Sequence, residues 1–196
     1  MRELRPGLFR WTAEHPAWEP DQPAGSPGDW PRSVGSALVD APEATVFIDP
    51  LVDDDALWER LDEHVRARAL PVVVLTTIPF HRRSRDAFFE RYGATDSVPS
   101  GVEPFPVQAA DETMFWLPEH RALVVGDRLL GDDAGGLRLC PESWLGYLPG
   151  EMTQAKLAAA LEPLLDWPIE IVVVSHGEPV LRDGRAAVEA ALRAVD

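Results

Sequence analysis

Short hydrophobic runs divide this chain into a predicted series of β-strands. Residues 8–12 alternate apolar and polar side chains, as a half-buried strand does. Residues 34–40 and 45–49 are two further apolar runs, separated by a turn sequence. The runs at 71–75 and 170–174 are continuously apolar and rich in Val, which is typical of strands that are covered on both faces.

Apolar residues at helical spacing lie between these strands. Leu57, Leu61 and Val65 predict one buried stripe on a helix that begins near Asp53. Three more helices are predicted at 84–93, after Thr153 and after Asp183, and three more strands at 102–108, 113–117 and 122–125. Because strands come first and helices then alternate with strands, the pattern predicts a single domain, residues 1–196, built as a layered α/β sandwich.

Composition and charge narrow the class of protein. Of the 196 residues 45% are hydrophobic, so a packed core is expected. The net charge of −15 disfavours nucleic acid as a partner, because phosphate backbones select basic surfaces. No apolar run approaches the roughly 20 residues that span a bilayer, and residues 1–6 lack the apolar core of a signal peptide. With a single cysteine, Cys140, these features predict a cytoplasmic protein that binds neither nucleic acid nor membrane.

Polar residues that follow three of the predicted strands are the candidates for chemistry. His81, Asp127 and His176 each come shortly after an apolar strand. Ligands of α/β folds bind beyond the carboxyl ends of such strands, so these side chains are expected at one edge of a sheet. Two imidazoles and a carboxylate suit one Zn²⁺ or Fe²⁺ ion with open positions for water. His15, in a proline-rich loop at 14–31, is a weaker candidate for contact with a ligand.

The order of the motifs resembles that of the metallo-β-lactamase superfamily over nearly the whole chain. The run that ends in Asp49-Pro50 is similar to the family's early hairpin. Gly126-Asp127 is similar to its Gly-Asp turn, and Ser175-His176-Gly177 to its late histidine-containing turn. The resemblance implies a four-layer αββα sandwich. It also implies that Asp127 bridges two metal ions and that His176 is a ligand of the second.

The chain departs from the family where most of the metal ligands stand. The family's T-H-x-H-x-D-H motif falls on T-T-I-P-F-H-R, so Thr77 and Pro79 replace two histidines, His81 replaces the aspartate and Arg82 replaces the last histidine. Gln108 stands at a further histidine position. Threonine and glutamine are weak ligands and proline has no donor, so a dinuclear centre is not expected.

These residues leave three functions open. In the first, the chain is a degenerate family member that binds a small, anionic molecule or keeps residual activity. Arg82 then supplies the positive charge that a metal ion once supplied. Alternatively, it is a hydrolase with one metal ion on His81, Asp127 and His176, in which Asp127 and His81 act in catalysis. A homo-oligomeric scaffold is the third, supported by the seven tryptophans. Arg82 has a simpler interpretation as a solvated charge paired with Asp86.

Overall fold

The first apolar runs form a five-stranded sheet in the computed structural model, which describes residues 1–132 and 134–195. Its strands are β1 (Arg2–Arg5), β2 (Leu8–Glu14), β3 (Ser33–Asp40), β4 (Thr45–Ile48) and β5 (Val72–Leu75). They lie in chain order and pair antiparallel, except that β4 and β5 are parallel. Parallel neighbours need a crossover connection, and helix α1 (Asp55–Arg68) provides it.

A second sheet takes its strands from the later part of the chain. They are β6 (Glu103–Val107), β7 (Glu112–Leu117), β8 (Ala122–Val124) and β11 (Ile171–Val173), and a separate hairpin contains β9 (Leu129–Gly131) and β10 (Leu137–Leu139). The second sheet has the order β11-β8-β7-β6, with β8 and β11 parallel. The remaining helices are α2 (Arg85–Tyr92), α3 (Gln154–Leu161) and α4 (Gly184–Arg193).

Three hydrophobic layers hold the sheets and helices together. Val46 and Val73 of the first sheet pack with Val124 and Val173 of the second. Alternate residues of the same strands point to the opposite face of each sheet, where α1 and α2 cover the first sheet and α3 and α4 cover the second. The architecture is therefore a four-layer αββα sandwich, which confirms the predicted fold class.

Most of the predicted elements are confirmed to within a few residues. Two of the four predicted helix starts have side-chain caps: Asp54 accepts a hydrogen bond from the backbone N–H of Leu57, and Thr153 accepts one from that of Lys156. Strand β1 and the β9–β10 hairpin were not predicted, because strands of three or four residues are too short for an alternating pattern to stand out. None of the helices in the described ranges is long and apolar enough to cross a membrane.

Candidate metal centre

Three polar residues meet at one end of the sandwich, where β5 of the first sheet and β8 and β11 of the second sheet end, and not at the edge of a single sheet as predicted. His81 lies in a short 3₁₀ helix, Pro79–Arg82, that follows β5. Asp127 follows β8, and His176 follows β11. One donor atom from each of these side chains lies within 4.8 Å of the other two. The fold thus brings together the three residues that the sequence singled out.

Two glycines allow the turns that carry Asp127 and His176 to pass close to their neighbours. A Cβ atom on Gly126 would lie 2.5 Å from Oγ1 of Thr77. Gly177 has a φ of +84°, and a Cβ atom there would lie 2.5 Å from the carbonyl oxygen of Gly131. The Gly-Asp and His-Gly pairs of the sequence therefore have a steric cause.

The carboxylate of Asp127 is the centre of the cluster. Its Oδ1 lies 3.1 Å from Nε2 of His81 and 3.2 Å from Nε2 of His176. Neither contact is aligned as a hydrogen bond, so within the described ranges this buried oxygen has no hydrogen-bond partner. Burial acts to raise the pKa of Asp127, but the two imidazoles lower it well below its usual 3.8. The cluster therefore contains an ionised carboxylate oxygen that lies beside two imidazole nitrogens without an aligned hydrogen bond to either.

Two of the three donor separations are close to those of a single metal site, and the third is within 4.8 Å. In a tetrahedral zinc site with bonds of about 2.1 Å, neighbouring ligand atoms lie about 3.4 Å apart. The two N···O separations at Asp127, 3.1 and 3.2 Å, are close to that value. Two imidazoles and a carboxylate are also the donor types that Zn²⁺ and Fe²⁺ take in proteins.

His81 lies between two carboxylates. Its Nδ1 is 2.8 Å from Oδ2 of Asp49, and its Nε2 faces Asp127. Burial opposes the charged imidazole, but Asp127 and Asp49 outweigh that effect and raise the pKa of His81 to about 9. Without a metal ion, His81 is therefore an imidazolium at neutral pH. Asp49 orients the ring as carboxylates commonly orient metal-binding histidines.

Asp49 is a site residue that the sequence analysis placed in a turn and gave no role. It is buried and has a φ of 50°, a left-handed conformation that aspartate tolerates better than most residues. The backbone N–H of Thr77 donates to Oδ1 of Asp49 at 2.8 Å, and the Thr77 hydroxyl donates to Oδ2. Thr77, at one of the family's histidine positions, is thus a hydrogen-bond donor to Asp49. In the sequence, the Asp49-Pro50 pair at the end of a predicted strand was the feature that could have identified Asp49 as a site residue.

His176 has different surroundings from His81. Its Nδ1 is buried, and no described residue hydrogen-bonds to it. The rings of Trp30 and Trp144 meet its ring edge-on, with centroid separations of 6.1 and 5.5 Å. Burial lowers the pKa of His176, so this imidazole is neutral and its Nε2 can bind a cation.

Glu112 supports the Asp127 turn and was also missed. Its carboxylate accepts backbone N–H bonds of 2.9, 2.8 and 3.0 Å from Gly126, Asp127 and Arg128. Full burial raises the pKa of Glu112 to about 7, although Arg128 and these N–H groups oppose the rise. No spacing in the sequence links Glu112 to Asp127, because their contact arises from the pairing of β7 with β8.

The structure corrects the expected position of Arg82. Its side chain is 65% exposed and pairs with Asp86, outside the cluster. The neighbouring Arg83 is partly buried instead, and its φ of 39° turns the chain so that its side chain runs inward. Its guanidinium donates to the carbonyl oxygens of Gly35 and Asp49 and to Oγ of Ser175, at 2.6, 2.9 and 2.6 Å. Positive charge beside the cluster therefore comes from Arg83.

A cavity of about 630 Å³ opens above the cluster. His81, Asp127 and His176 lie in its lining, and Trp30, Phe80, Trp144 and Tyr147 supply aromatic surface. His15 also lines it, so the proline-rich loop reaches the site. Pro79 and Gln108, at two of the family's ligand positions, line a separate groove. The site is thus an aromatic-walled cavity with the three candidate ligands on one side.

Solved structures of metallo-β-lactamases have the same fold. The DIM-1 metallo-β-lactamase, in a crystal exposed to ceftazidime, is 17% identical, with a TM-score of 0.60 over 97% of this chain and 96% of that one. VMB-1 at pH 5.5 is 16% identical, with a TM-score of 0.60 over 97% and 96%. The metallo-β-lactamase from Erythrobacter litoralis is 14% identical, with a TM-score of 0.59 over 99% and 96%. No family model and no curated protein matches the sequence. The chain has the metallo-β-lactamase fold, as its motif order predicted.

Proposed function

We propose that this protein binds one divalent metal ion through His81, Asp127 and His176 and hydrolyses a small molecule held in the cavity. The observation that carries the proposal is the buried Oδ1 of Asp127, which faces both imidazole nitrogens without a hydrogen bond to any described residue. A buried, ionised oxygen is costly unless a partner compensates it; the His81 imidazolium does so in part, and a divalent cation between the three side chains would do so more fully. A bound Zn²⁺ or Fe²⁺ ion would lower the pKa of a water molecule and polarise a carbonyl or phosphoryl group.

The residues around the cluster have separate tasks in this proposal. Asp49 holds Nδ1 of His81, so that Nε2 of that ring is directed at Asp127. Oδ2 of Asp127 is left to accept a hydrogen bond from the attacking water, which orients it. The indoles of Trp30 and Trp144 cover the His176 ring and exclude bulk water from it.

The remaining family ligand positions favour one ion over two. The hydroxyl of Thr77 is committed to Asp49, and Pro79 has no side-chain donor atom. Gln108 is exposed and lies in the separate groove. A second ion beside Asp127 would therefore lack the imidazole ligands that the family supplies.

Metal analysis of protein purified without a chelator or an affinity tag tests this function. We expect about one equivalent of zinc or iron per chain, or saturable uptake of one equivalent of added Zn²⁺, and its loss in His176→Ala. His64→Gln is the matched control, because His64 also pairs with an aspartate, Asp40 at 2.7 Å, but lies on α1 outside the cavity. Failure to bind zinc even in excess would refute the metal-dependent mechanism.

A metal-free binding protein is the second candidate, and one observation favours it. With its raised pKa, the imidazolium of His81 lies between Asp49 and Asp127 and neutralises part of their charge without a metal ion. In that case the cavity binds a small molecule and performs no hydrolysis. Ligand binding that is unchanged by a chelator, together with no metal uptake, would favour this candidate.

A further inference from the structure

The shape of the cavity selects a flat ligand. Phe80 and Tyr147 are 65% and 50% exposed, and their rings meet edge-on at 5.3 Å. Trp30 and Trp144 lie farther in, against the ring of His176. Aromatic side chains favour stacked and edge-to-face contacts with other rings. A volume of about 630 Å³ is in the range of cavities that enclose small organic molecules.

The charges in the lining select a negative group on that ligand. Among the described lining residues, Arg83 and Arg128 are the guanidinium groups and Asp127 is the carboxylate. Both Nη atoms of Arg83 donate, to two backbone carbonyls and to Ser175, and its Nε is buried with no partner in the described part of the chain. Arg128 is the guanidinium that lies against the aromatic wall, since its Cζ is 5.7 Å from the centroid of the Tyr147 ring.

Arg128 is held rigidly by two hydrogen bonds. Its Nε donates to the carbonyl oxygen of Ala110 at 2.8 Å, and its Nη2 donates to the hydroxyl of Tyr147 at 2.5 Å. The hydrogen bonds to Ala110 and Tyr147 do not use Nη1, and the Cys140 thiol lies beside the guanidinium. The side chain is 1% exposed, so this charge is removed from bulk water and can bind an anion strongly. Oγ of Ser143, also in the lining, is buried without a partner in the described part of the chain.

We propose that the cavity binds a flat aromatic monoanion, with its negative group on Nη1 of Arg128 and Oγ of Ser143 and its ring among Trp30, Trp144 and Tyr147. This inference names the substrate class of the site proposed above. It rests on that proposed function for the reaction, but not for binding.

Calorimetry on the full chain, freed of metal by a chelator and dialysed, tests the inference with three probes of similar size. Naphthoate is flat and anionic, naphthamide is flat and neutral, and decalin carboxylate is anionic but not flat. We expect naphthoate to bind at least about tenfold more tightly than naphthamide, since a charge-assisted hydrogen bond contributes about that much. We expect it to bind about two- to tenfold more tightly than decalin carboxylate, which is the contribution of aromatic contacts. Equal affinity for naphthoate and naphthamide overturns the anion site, and equal affinity for the two carboxylates overturns the aromatic site. Failure of all three probes to bind overturns both.

Variants locate the binding contacts. Arg128→Met is expected to remove the preference for naphthoate over naphthamide. Arg138→Ala also removes one positive charge, but from an exposed strand position, and this variant is expected to retain the preference. If Arg128→Met does not fold, Trp30→Leu tests the aromatic contacts instead. This variant is expected to lose the preference for naphthoate over decalin carboxylate. A preference that survives the variants overturns the assigned contacts.

The same titrations with and without one equivalent of Zn²⁺ separate the two proposals. Zinc binding without a naphthoate preference refutes only the ligand class. A naphthoate preference without zinc binding supports the ligand class and refutes the metal-dependent reaction.

Discussion

His81 must lose a proton before its Nε2 can bind a metal ion, and two carboxylates hold that proton in place. Its pKa is raised to about 9 by Asp127 and Asp49, against the effect of burial. At about pH 7 only about one molecule in 100 therefore has a neutral His81, which costs about 2.7 kcal/mol of metal affinity. We expect the apparent zinc affinity to rise roughly 50-fold between about pH 7 and about pH 9, because the cost disappears as the proton leaves.

The stability of the metal-free protein should change in the opposite direction. A folded-state pKa of about 9, above the ordinary 6.5 of histidine, adds stability that is fully present below pH 6.5 and is lost as the pH rises through about 9. Zinc removes this dependence, since the bound His81 is neutral throughout. The free energy of unfolding of the metal-free protein should therefore fall between pH 6.5 and about 9. In the zinc-bound protein the deprotonation of His81 should cause no such fall.

Zinc competition with a chelator of known affinity, at several pH values, measures the effect. Calorimetry in buffers of different ionisation enthalpy should show release of about one proton per zinc ion at about pH 7. His64→Gln should leave both results unchanged, because His64 pairs with Asp40 on the outer helix. Affinity that is flat over this pH range, with no proton released, would show that His81 is not the protonated ligand described here.

Four further substitutions test the supports of the site and the packing of the first sheet. Glu112→Gln should lower the free energy of unfolding in urea by about 1–3 kcal/mol and weaken zinc binding, because it disturbs the carboxylate that accepts three backbone N–H bonds; an unchanged urea midpoint would contradict this. Arg83→Ala should lower the free energy of unfolding by at least about 2 kcal/mol and Arg82→Ala by less than about 0.5 kcal/mol, because Arg83 is partly buried with three hydrogen-bond acceptors and Arg82 is exposed; equal effects in urea unfolding would be inconsistent with their placement. Phe88 of α2 is fully buried against the first sheet, so Phe88→Ala should lower the free energy of unfolding by about 3–5 kcal/mol. A thermal midpoint near that of the wild type would argue against this packing.

The secondary structure was largely readable from the sequence, because burial imposes a period on the residues of each element. The continuous run at 71–75 predicted a strand covered on both faces, and β5 is buried at all four positions. Leu57 and Leu61 predicted the buried face of α1 and both are buried, whereas Val65 is only partly buried. Short edge strands such as β1 were not predicted, because four residues with two arginines do not form a recognisable alternating pattern.

The candidate ligands could be read from the sequence, but their surroundings could not. His81, Asp127 and His176 each follow a strand, and polar residues at such strand ends are candidates for ligand binding. That β5 lies in one sheet and β8 and β11 in the other was not readable from the sequence, so the site lies between two packed sheets. The partners Asp49 and Glu112 depend on which strands are neighbours, and pairing between distant segments has no local signature.

The adjacent residues Arg82 and Arg83 show what the sequence determines and what only the tertiary structure decides. The sequence alone determined the fold class, most elements and the donor set, because these follow from hydrophobic period and from residue type at strand ends. Only the tertiary structure decided which arginine enters the site, since one left-handed backbone angle at Arg83 sends that side chain inward and leaves Arg82 in water. It likewise decided that rings distant in sequence, from Trp30 to Tyr147, line one cavity. Side-chain direction and long-range packing depend on coordinates that no local pattern specifies.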